Sequence, residues 1–320
     1  MLCIHLKEED PWFCLAAEEF LLKNYTDDVF MIWQSHNTVV AGKHQNMLGE
    51  VNYRYVREHG IRLARRISGG GTVFHDRGNV NFTYILQVSG PQEISFSRFT
   101  EPVREALTLL GITAETSGRN DLLVKGRKIS GNAEHVYKNR VLHHGTLLFN
   151  ADLARLGKAI SVIPGTYIGK AVQSNRSPVT NITEWLSRPM TIGTFIDHLL
   201  RTQLERHPGS RRVEISAQER RLIEQLAEEK FRTPAWNFFY SPPYTFSRTT
   251  AVAGRELTVS LIVEKGKIVS AGLTGSLVTP SLAATAEEAL PGTPHLYDEV
   301  AAVLARCQWP GDPEITYAFF

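Results

Sequence analysis

At 320 residues and 42% hydrophobic content, the chain is long enough to bury a sizeable core as one large domain or two smaller ones. Thirty-five basic against 33 acidic residues leave a net charge of +2, which argues against a surface built for nucleic acid and against an acidic tail, so any anion site must be local. No apolar run approaches the roughly 18 residues of a membrane span, the start MLCIHLKEEDPW is not a secretory signal, and Cys3, Cys14 and Cys307 suggest neither a disulfide framework nor a zinc site. A reducing cytoplasm, with no membrane partner, is the expected setting.

In chain order, residues 12–24 carry Phe13, Ala16, Ala17, Phe20 and Leu21 at helical spacing. Strands are predicted over 29–33 and 38–41, a short helix over 51–59, and strands over 61–65, 73–75 and 80–87. A helix follows over 99–110, then strands 122–124 and 128–130 joined at Lys125-Gly126, then a strand over 140–149. Residues 217–230 read as a polar helix whose narrow apolar stripe is Leu222, Ile223 and Leu226, with its charges solvated. Three prolines within 233–243 mark a boundary. Beyond it, 257–263 and 268–273 form a hairpin about Lys265-Gly266, and helices near 281–290 and 296–307 complete a small unit. The pattern is α+β: a mixed-sheet domain with packed helices over 1–236, followed by a small α+β accessory domain over 245–320.

The most informative segment is Arg65 to Asp76, RRISGGGTVFHD. Three consecutive glycines strip the backbone of Cβ atoms, so its amides can approach a bound group, and the neighbouring arginines carry permanent forked charge suited to phosphate or carboxylate oxygens. Lys128 sits on a hairpin arm, in RKISG. His143 and His144 are adjacent on a strand, so their side chains point to opposite faces; one is expected packed inside and the other nearer the site, not as a two-ligand metal clamp. Ser68, His75 and Asp76 do not read as a nucleophilic triad, because no GxSxG elbow is present and His75 and Asp76 face opposite sides of a strand. Neither a P-loop nor a GxGxxG after a strand occurs, so nucleotide binding has to rest on the glycine loop and the Lys128 hairpin.

RRISGGGTVFHDRGNVNFTYIL, GRND with LLVKGRKISGNAEH, and VLHHGTLLF together resemble the lipoate-protein ligase A family, and less closely the related biotin ligases and octanoyl transferases. The opening helix DPWFCLAAEE, the strand and loop VVAGKHQN, and SNRSPVTN at 174–181, similar to the loop that closes over the adenylate in this family, extend the resemblance over most of residues 10–275.

The resemblance implies that Lys128 is the catalytic residue, touching both the acyl carboxylate and the α-phosphate, a task suited to a compact point charge. It implies that Arg66, Ser68, Gly69, Gly70, Gly71, Thr72, Val73, Phe74, His75, Asn120, Lys128, His144 and Gly145 bind substrate and ATP. Asp121 reads equally as a Mg²⁺ ligand or as a turn carboxylate. Lipoate needs an apolar slot, for which Leu15, Val39, Val73 and Phe149 are candidates, with core packing the commoner role for each. The implied activity is activation of lipoate by ATP to lipoyl-AMP and transfer to a lysine of lipoyl domains of 2-oxoacid dehydrogenase E2 subunits or of the glycine-cleavage H protein. The alternatives are a lipoyltransferase using preformed lipoyl-AMP or a donor protein, a biotin ligase, a thioester-forming octanoyl transferase, and a catalytically silent binding sensor.

Overall fold

The computed structural model describes residues 1–90, 93–117, 120–163, 166–175 and 177–320; Gly118 and Arg119 of the GRND segment and Arg176 of SNRSPVTN lie outside the described residues. The chain divides into two compact units: Met1–Lys43, Ala64–Gly157 and Ser174–Thr233 form the first, and His44–Leu63, Lys158–Gln173 and Pro234–Phe320 the second. Two segments that a contiguous division assigned to the first domain, His44–Leu63 and Lys158–Gln173, therefore belong to the second.

Along the chain run β1 (Leu2–His5), α1 (Pro11–Asn24), β2 (Val29–Trp33), β3 (Thr38–Ala41), α2 (Tyr53–Glu58), β4 (Arg62–Arg65), β5 (Val73–His75) and β6 (Asn79–Gln87). Next come α3 (Phe96–Thr108), β7 (Glu115–Thr116), β8 (Asp121–Val124), β9 (Arg127–Tyr137), β10 (Arg140–Leu148), α4 (Leu153–Ala159) and β11 (Tyr167–Gly169). Then follow α5 (Ile192–Arg206), β12 (Arg211–Arg212), α6 (Ala217–Leu226), β13 (Tyr244–Val252), β14 (Arg255–Glu264), β15 (Lys267–Thr274), α7 (Pro280–Ala289), α8 (Tyr297–Arg306) and α9 (Pro313–Tyr317). β1, β7, α4, β11, α5, β12, β13 and α9 were not predicted. No helix among the described residues is long and apolar enough to cross a membrane.

The first unit is built on a mixed sheet in the order β12-β1-β2-β6-β10-β9-β8-β7, parallel where β1 meets β12 and β2 and antiparallel from β2 through β9 to β7. Its central strands β2 and β6 are covered on both faces, which is why they read as continuous apolar runs without alternation. One face packs Phe30, Ile32, Phe82 and Tyr84 against Phe99, Val103 and Leu107 of α3 and Ile196 and Leu199 of α5. The other face receives α1, whose N-cap Asp10 accepts from the Phe13 amide at 3.2 Å with Pro11 at the first turn. α1 is buried almost all round, including two carboxylates, Glu18 and Glu19. A buried carboxylate must be paired: Glu19 meets Lys23 and Lys230, each at 2.5 Å, while Glu18 turns into the sheet.

The second unit carries the antiparallel sheet β11-β13-β14-β15. Main-chain pairing of β11 with β13, and stacking of Tyr53 on Phe320 with ring centroids 4.6 Å apart, bring the two early segments into this unit. The predicted turn at Lys265-Gly266 has φ of 50° and 69°, the left-handed pair that matches strand twist in a two-residue hairpin. At its centre the His295 ring bonds the Tyr244 hydroxyl at 2.7 Å and the Phe319 carbonyl at 2.6 Å.

Burial pushes His295 down to about 4 from the ordinary 6.5, against the upward pull of the Phe319 carbonyl. Between those values the unfolded chain binds a proton that the folded one refuses, so this contribution is complete above pH 6.5 and is lost as pH falls toward 4. The depression corresponds to on the order of 3 kcal/mol. Urea titrations across pH 4 to 7.5 should show His295→Gln with a shallower acid limb than the wild type; parallel limbs would refute the assignment.

Candidate active site

The glycine loop is held by arginine. β4 delivers Arg65, which is buried and donates from Nη1 to the Gly42 and Lys43 carbonyls at 3.0 and 3.1 Å. Arg66 is buried too: Nε donates to Ser68 Oγ at 3.0 Å, Nη1 to the Val40 carbonyl at 3.2 Å, and Nη2 to the Gly69 and Gly71 carbonyls at 2.6 and 2.7 Å. The loop is thus wrapped around a cation that takes up its carbonyls and turns the chain direction between them. Gly70 supplies the reversal, with φ +84°, and a β-carbon there would lie 3.1 Å from Arg66 Nη2. At Gly69 a β-carbon would meet nothing within 4 Å, so this stretch of backbone is open on one side.

A chain of hydrogen bonds continues from Arg66. Ser68 Oγ accepts from Arg66 and meets His144 Nε2 at 2.6 Å; His144 Nδ1 lies 2.9 and 3.0 Å from the two Glu18 oxygens. Thr83 Oγ1 donates to Glu18 at 2.6 Å and accepts from the Trp33 indole at 3.0 Å. Arg66 can only donate, so the Ser68 proton is available to His144 Nε2, which in turn leaves the His144 Nδ1 proton for Glu18. Burial lowers Arg66 to about 10, with Glu18 pulling it back up, so the chain joins a buried cation to its buried counter-charge. Serine, histidine and glutamate are linked in the order of a nucleophilic triad, but Ser68 is fully buried and already accepts from a guanidinium, which draws electron density away from its oxygen.

Lys128 stands apart from this scaffold. The β8–β9 hairpin, with Lys125 and Gly126 at positive φ, carries it to where Nζ lies 2.9 Å from Asp121 Oδ1, both side chains 23% exposed. Its path crosses Gly131, where a β-carbon would lie 2.9 Å from Nζ; the glycine of RKISG clears the way for the lysine. The Lys128 amide donates to the Pro178 carbonyl at 2.8 Å and its carbonyl accepts from Thr180 at 3.0 Å. The same connecting segment reaches the glycine loop, where Ser174 Oγ accepts from the Thr72 amide at 2.8 Å.

Residues 10–203 match the family model described as lipoyl protein ligase A/B catalytic domain. The chain belongs to this family. It is 37% identical over 302 residues to lipoate–protein ligase 1 of Staphylococcus aureus (strain Mu50), covering 93% of this chain and 91% of that protein. It is 36% identical to the lipoate–protein ligase LplJ of Bacillus subtilis (strain 168), covering 92% and 90%. Among solved structures, the putative lipoate protein ligase Ta0514 of Thermoplasma acidophilum with bound lipoic acid is 26% identical, with a TM-score of 0.64 over 73% of this chain and 98% of that one. A lipoate-protein ligase A bound with ATP gives the same identity and TM-score over 73% and 97%. A bipartite ligase described with its E2 lipoyl domain, also from T. acidophilum, gives 25% and 0.63 over 73% and 94%.

Within this ligase fold the expected residues separate into two groups. Arg66, Ser68, Gly69, Gly70, Gly71, Thr72 and His144 are brought together, with Arg66 spending at least four N–H bonds on the protein itself. His75 lies beside them: Nδ1 meets Ser35 at 2.8 Å, Nε2 is buried without a partner, and burial, then Arg66 and His144, push it down to about 3. Asp76 instead accepts from the Gly78 and Asp152 amides, so Ser68, His75 and Asp76 each go to different partners. Gly145 is enclosed, since a β-carbon would lie 2.3 Å from Asn132 Oδ1 and 2.5 Å from the Phe82 ring. Phe149 stacks on Phe195 in the core at 4.7 Å, while Leu15 and Val39 are buried and Val73 half-buried. Asn120 presents its carbonyl to Asn132 at 2.7 Å, and Asp121 pairs with Lys128. His143 and His144 do face opposite sides, His143 stacking on Phe99 at 4.7 Å. Glu18, Trp33 and Thr83 were missed, and Ser174 was read only as the start of the SNRSPVTN loop; the signal for Glu18 was an acidic pair inside the apolar run CLAAEEFLL.

Removing Glu18 should cost more than altering it. Glu18→Ala strands the His144 and Thr83 donors and the Arg66 charge, for an expected loss of about 3–5 kcal/mol, whereas Glu18→Gln keeps an acceptor and should lose clearly less. Urea unfolding at pH 7.5 measures both, and equal stabilities would sink the counter-charge role.

Proposed function

We propose that the chain is an ATP-dependent lipoate–protein ligase. The observation that carries this reading is a partly buried lysine, Lys128, given free passage by Gly131 and paired through its main chain with Pro178 and Thr180, close in sequence to the Ser174 that meets the open glycine loop. The relatives' names and the lipoic acid and ATP bound to two structural neighbours support lipoate and ATP as the substrates.

The carboxylate oxygen of lipoate attacks the α-phosphorus of ATP and pyrophosphate leaves; the acceptor lysine amine then attacks the acyl carbon, loses a proton and expels AMP. Both steps move negative charge across oxygens, and positioned cations and amides stabilise that charge. Lys128 Nζ bridges the acyl and α-phosphate oxygens, and the amides around Gly69 to Thr72 receive the anion once Ser174 gives up the Thr72 amide. The unpartnered His75 Nε2 is left for a bound group.

Mg²⁺ typically binds one or two carboxylates and takes its remaining ligands from phosphates and water. Among the described residues no group of three or more His, Cys, Asp or Glu could hold a metal ion, so the single carboxylate Asp121 beside Lys128 suits an ion that arrives with the nucleotide, whose charge it would offset. Acceptors are lipoyl domains of E2 subunits, for which the neighbour described with its E2 lipoyl domain is support, and the glycine-cleavage H protein. A thioester route is disfavoured, because Cys3, Cys14 and Cys307 are all buried and the Cys14 thiol donates to the Glu8 carbonyl at 3.2 Å.

Purified protein given lipoate, ATP and Mg²⁺ should release pyrophosphate and add a lipoyl mass to an E2 lipoyl domain. Lys128→Met should reduce pyrophosphate release by about 10²–10³-fold while remaining folded. Near-normal release would refute the lysine's role. Transfer from preformed lipoyl-AMP without pyrophosphate release would make the protein a lipoyltransferase instead.

A further inference from the structure

We infer that a cationic face beside the glycine loop, formed by Lys23, Lys43, Lys138 and Lys230 around His135 and Tyr137, docks an acidic face of the acceptor domain. This rests on the ligase reading above and adds where the protein substrate sits.

The face follows from strand geometry. Ala133 of β9 lies under the glycine loop, its β-carbon 3.7 Å from where a β-carbon of Gly70 would be. His135 and Tyr137 are the next residues on the same side, each about 7 Å farther along the strand. A standard protein interface of about 800 Å² per partner spans on the order of 30 Å, so a domain centred on Tyr137 reaches the loop. Lys23 and Lys138 hold their ammonium groups 5.6 and 5.3 Å from the Tyr137 ring centroid. An aromatic flanked by cations is a composition suited to an interface centre.

Lys23 and Lys230 both meet the buried carboxylate of Glu19, and both stay partly at the surface, Lys23 43% exposed and Lys230 27%. Lys43 is tied to the loop through its main chain, its amide donating to the Ser68 carbonyl at 2.8 Å, and its charge acts on His135. Opposite Tyr137 on β10, the buried Arg140 donates to the Asp27 carbonyl at 2.6 Å, and the Asp28 and Asp27 charges only partly offset its burial. His135 senses the result: it is lowered by burial first, then by Lys43, with Lys230 and Lys23 acting in the same direction and Glu19 opposing. In a chain whose net charge is only +2, such a concentration is a local feature, and exposed charges of this kind steer association more than they add to folding.

The test separates docking from chemistry. With an E2 lipoyl domain as acceptor, wild-type KM for that domain should rise at least tenfold between about 50 and about 300 mM salt, while acceptor-free pyrophosphate release from lipoate and ATP changes less than twofold. The double variant Lys43→Glu, Lys138→Glu should raise the acceptor KM at least tenfold at low salt, flatten its salt dependence, and leave pyrophosphate release within twofold of wild type. A salt-insensitive wild-type acceptor KM, or a double variant with unchanged acceptor KM, overturns the proposal. So does a variant whose KM for ATP rises while the acceptor KM stays put, since the face would then serve the nucleotide. Absence of pyrophosphate release from the wild type is a different failure, that of the ligase reading itself.

Discussion

A buried guanidinium is costly unless its N–H bonds find acceptors, and Arg66 finds them in the main chain of the loop that follows it. The shape of the RRISGGG segment is the solution to that problem: Gly69 and Gly71 turn their carbonyls inward to the cation, and Gly70 reverses the backbone between them. Amides alternate with carbonyls along a chain, so drawing carbonyls toward Arg66 leaves the Thr72 amide facing the other way, where it donates to Ser174 Oγ. Two networks then depend on the placement of Arg66: the path through Ser68 and His144 to Glu18, and the open side of the loop facing β9.

The fold assigns its cations different work according to burial. Arg65 and Arg66 are buried, bonded to main-chain carbonyls, and act as framework. Lys128 is 23% exposed and pairs with the Asp121 carboxylate, a partner that the proposed reaction has it exchange for oxygens of a substrate. An arginine suits the first role because it remains charged through several fixed hydrogen bonds even when burial lowers it to about 10. A lysine suits the second because a single mobile ammonium can change partners without disturbing the strand that carries it.

α1 joins the active site to the surface of the first unit. Its consecutive carboxylates point to different neighbours: Glu18 into the sheet toward His144, Glu19 toward Lys23 and Lys230. One helix turn thereby sets the charge balance beneath the glycine loop and takes part in the cationic face beside it. On the other side Ser174 touches Thr72, and Pro178 and Thr180 pair with the main chain of Lys128.

Most strands of the first unit were legible in the sequence because apolar and β-branched runs bounded by turn residues announce themselves locally, and the Lys125-Gly126 and Lys265-Gly266 turns carry their own φ signature. β1 was not legible, because its four residues are stabilised by parallel pairing to β2 and β12, which lie far along the chain. The opposite orientation of His143 and His144 was determined by the sequence alone, since neighbouring strand residues must face opposite sides. So was the presence of a backbone stretch without β-carbons beside two arginines. Only the tertiary structure decided that Arg66 holds the loop, that Ser68 pairs with His144 and not with His75, and that His44–Leu63 and Lys158–Gln173 join the C-terminal unit. Each of those outcomes is a choice of partner among groups distant in sequence, and such choices are settled by which buried charge or main-chain edge remains to be satisfied once the sheet has formed.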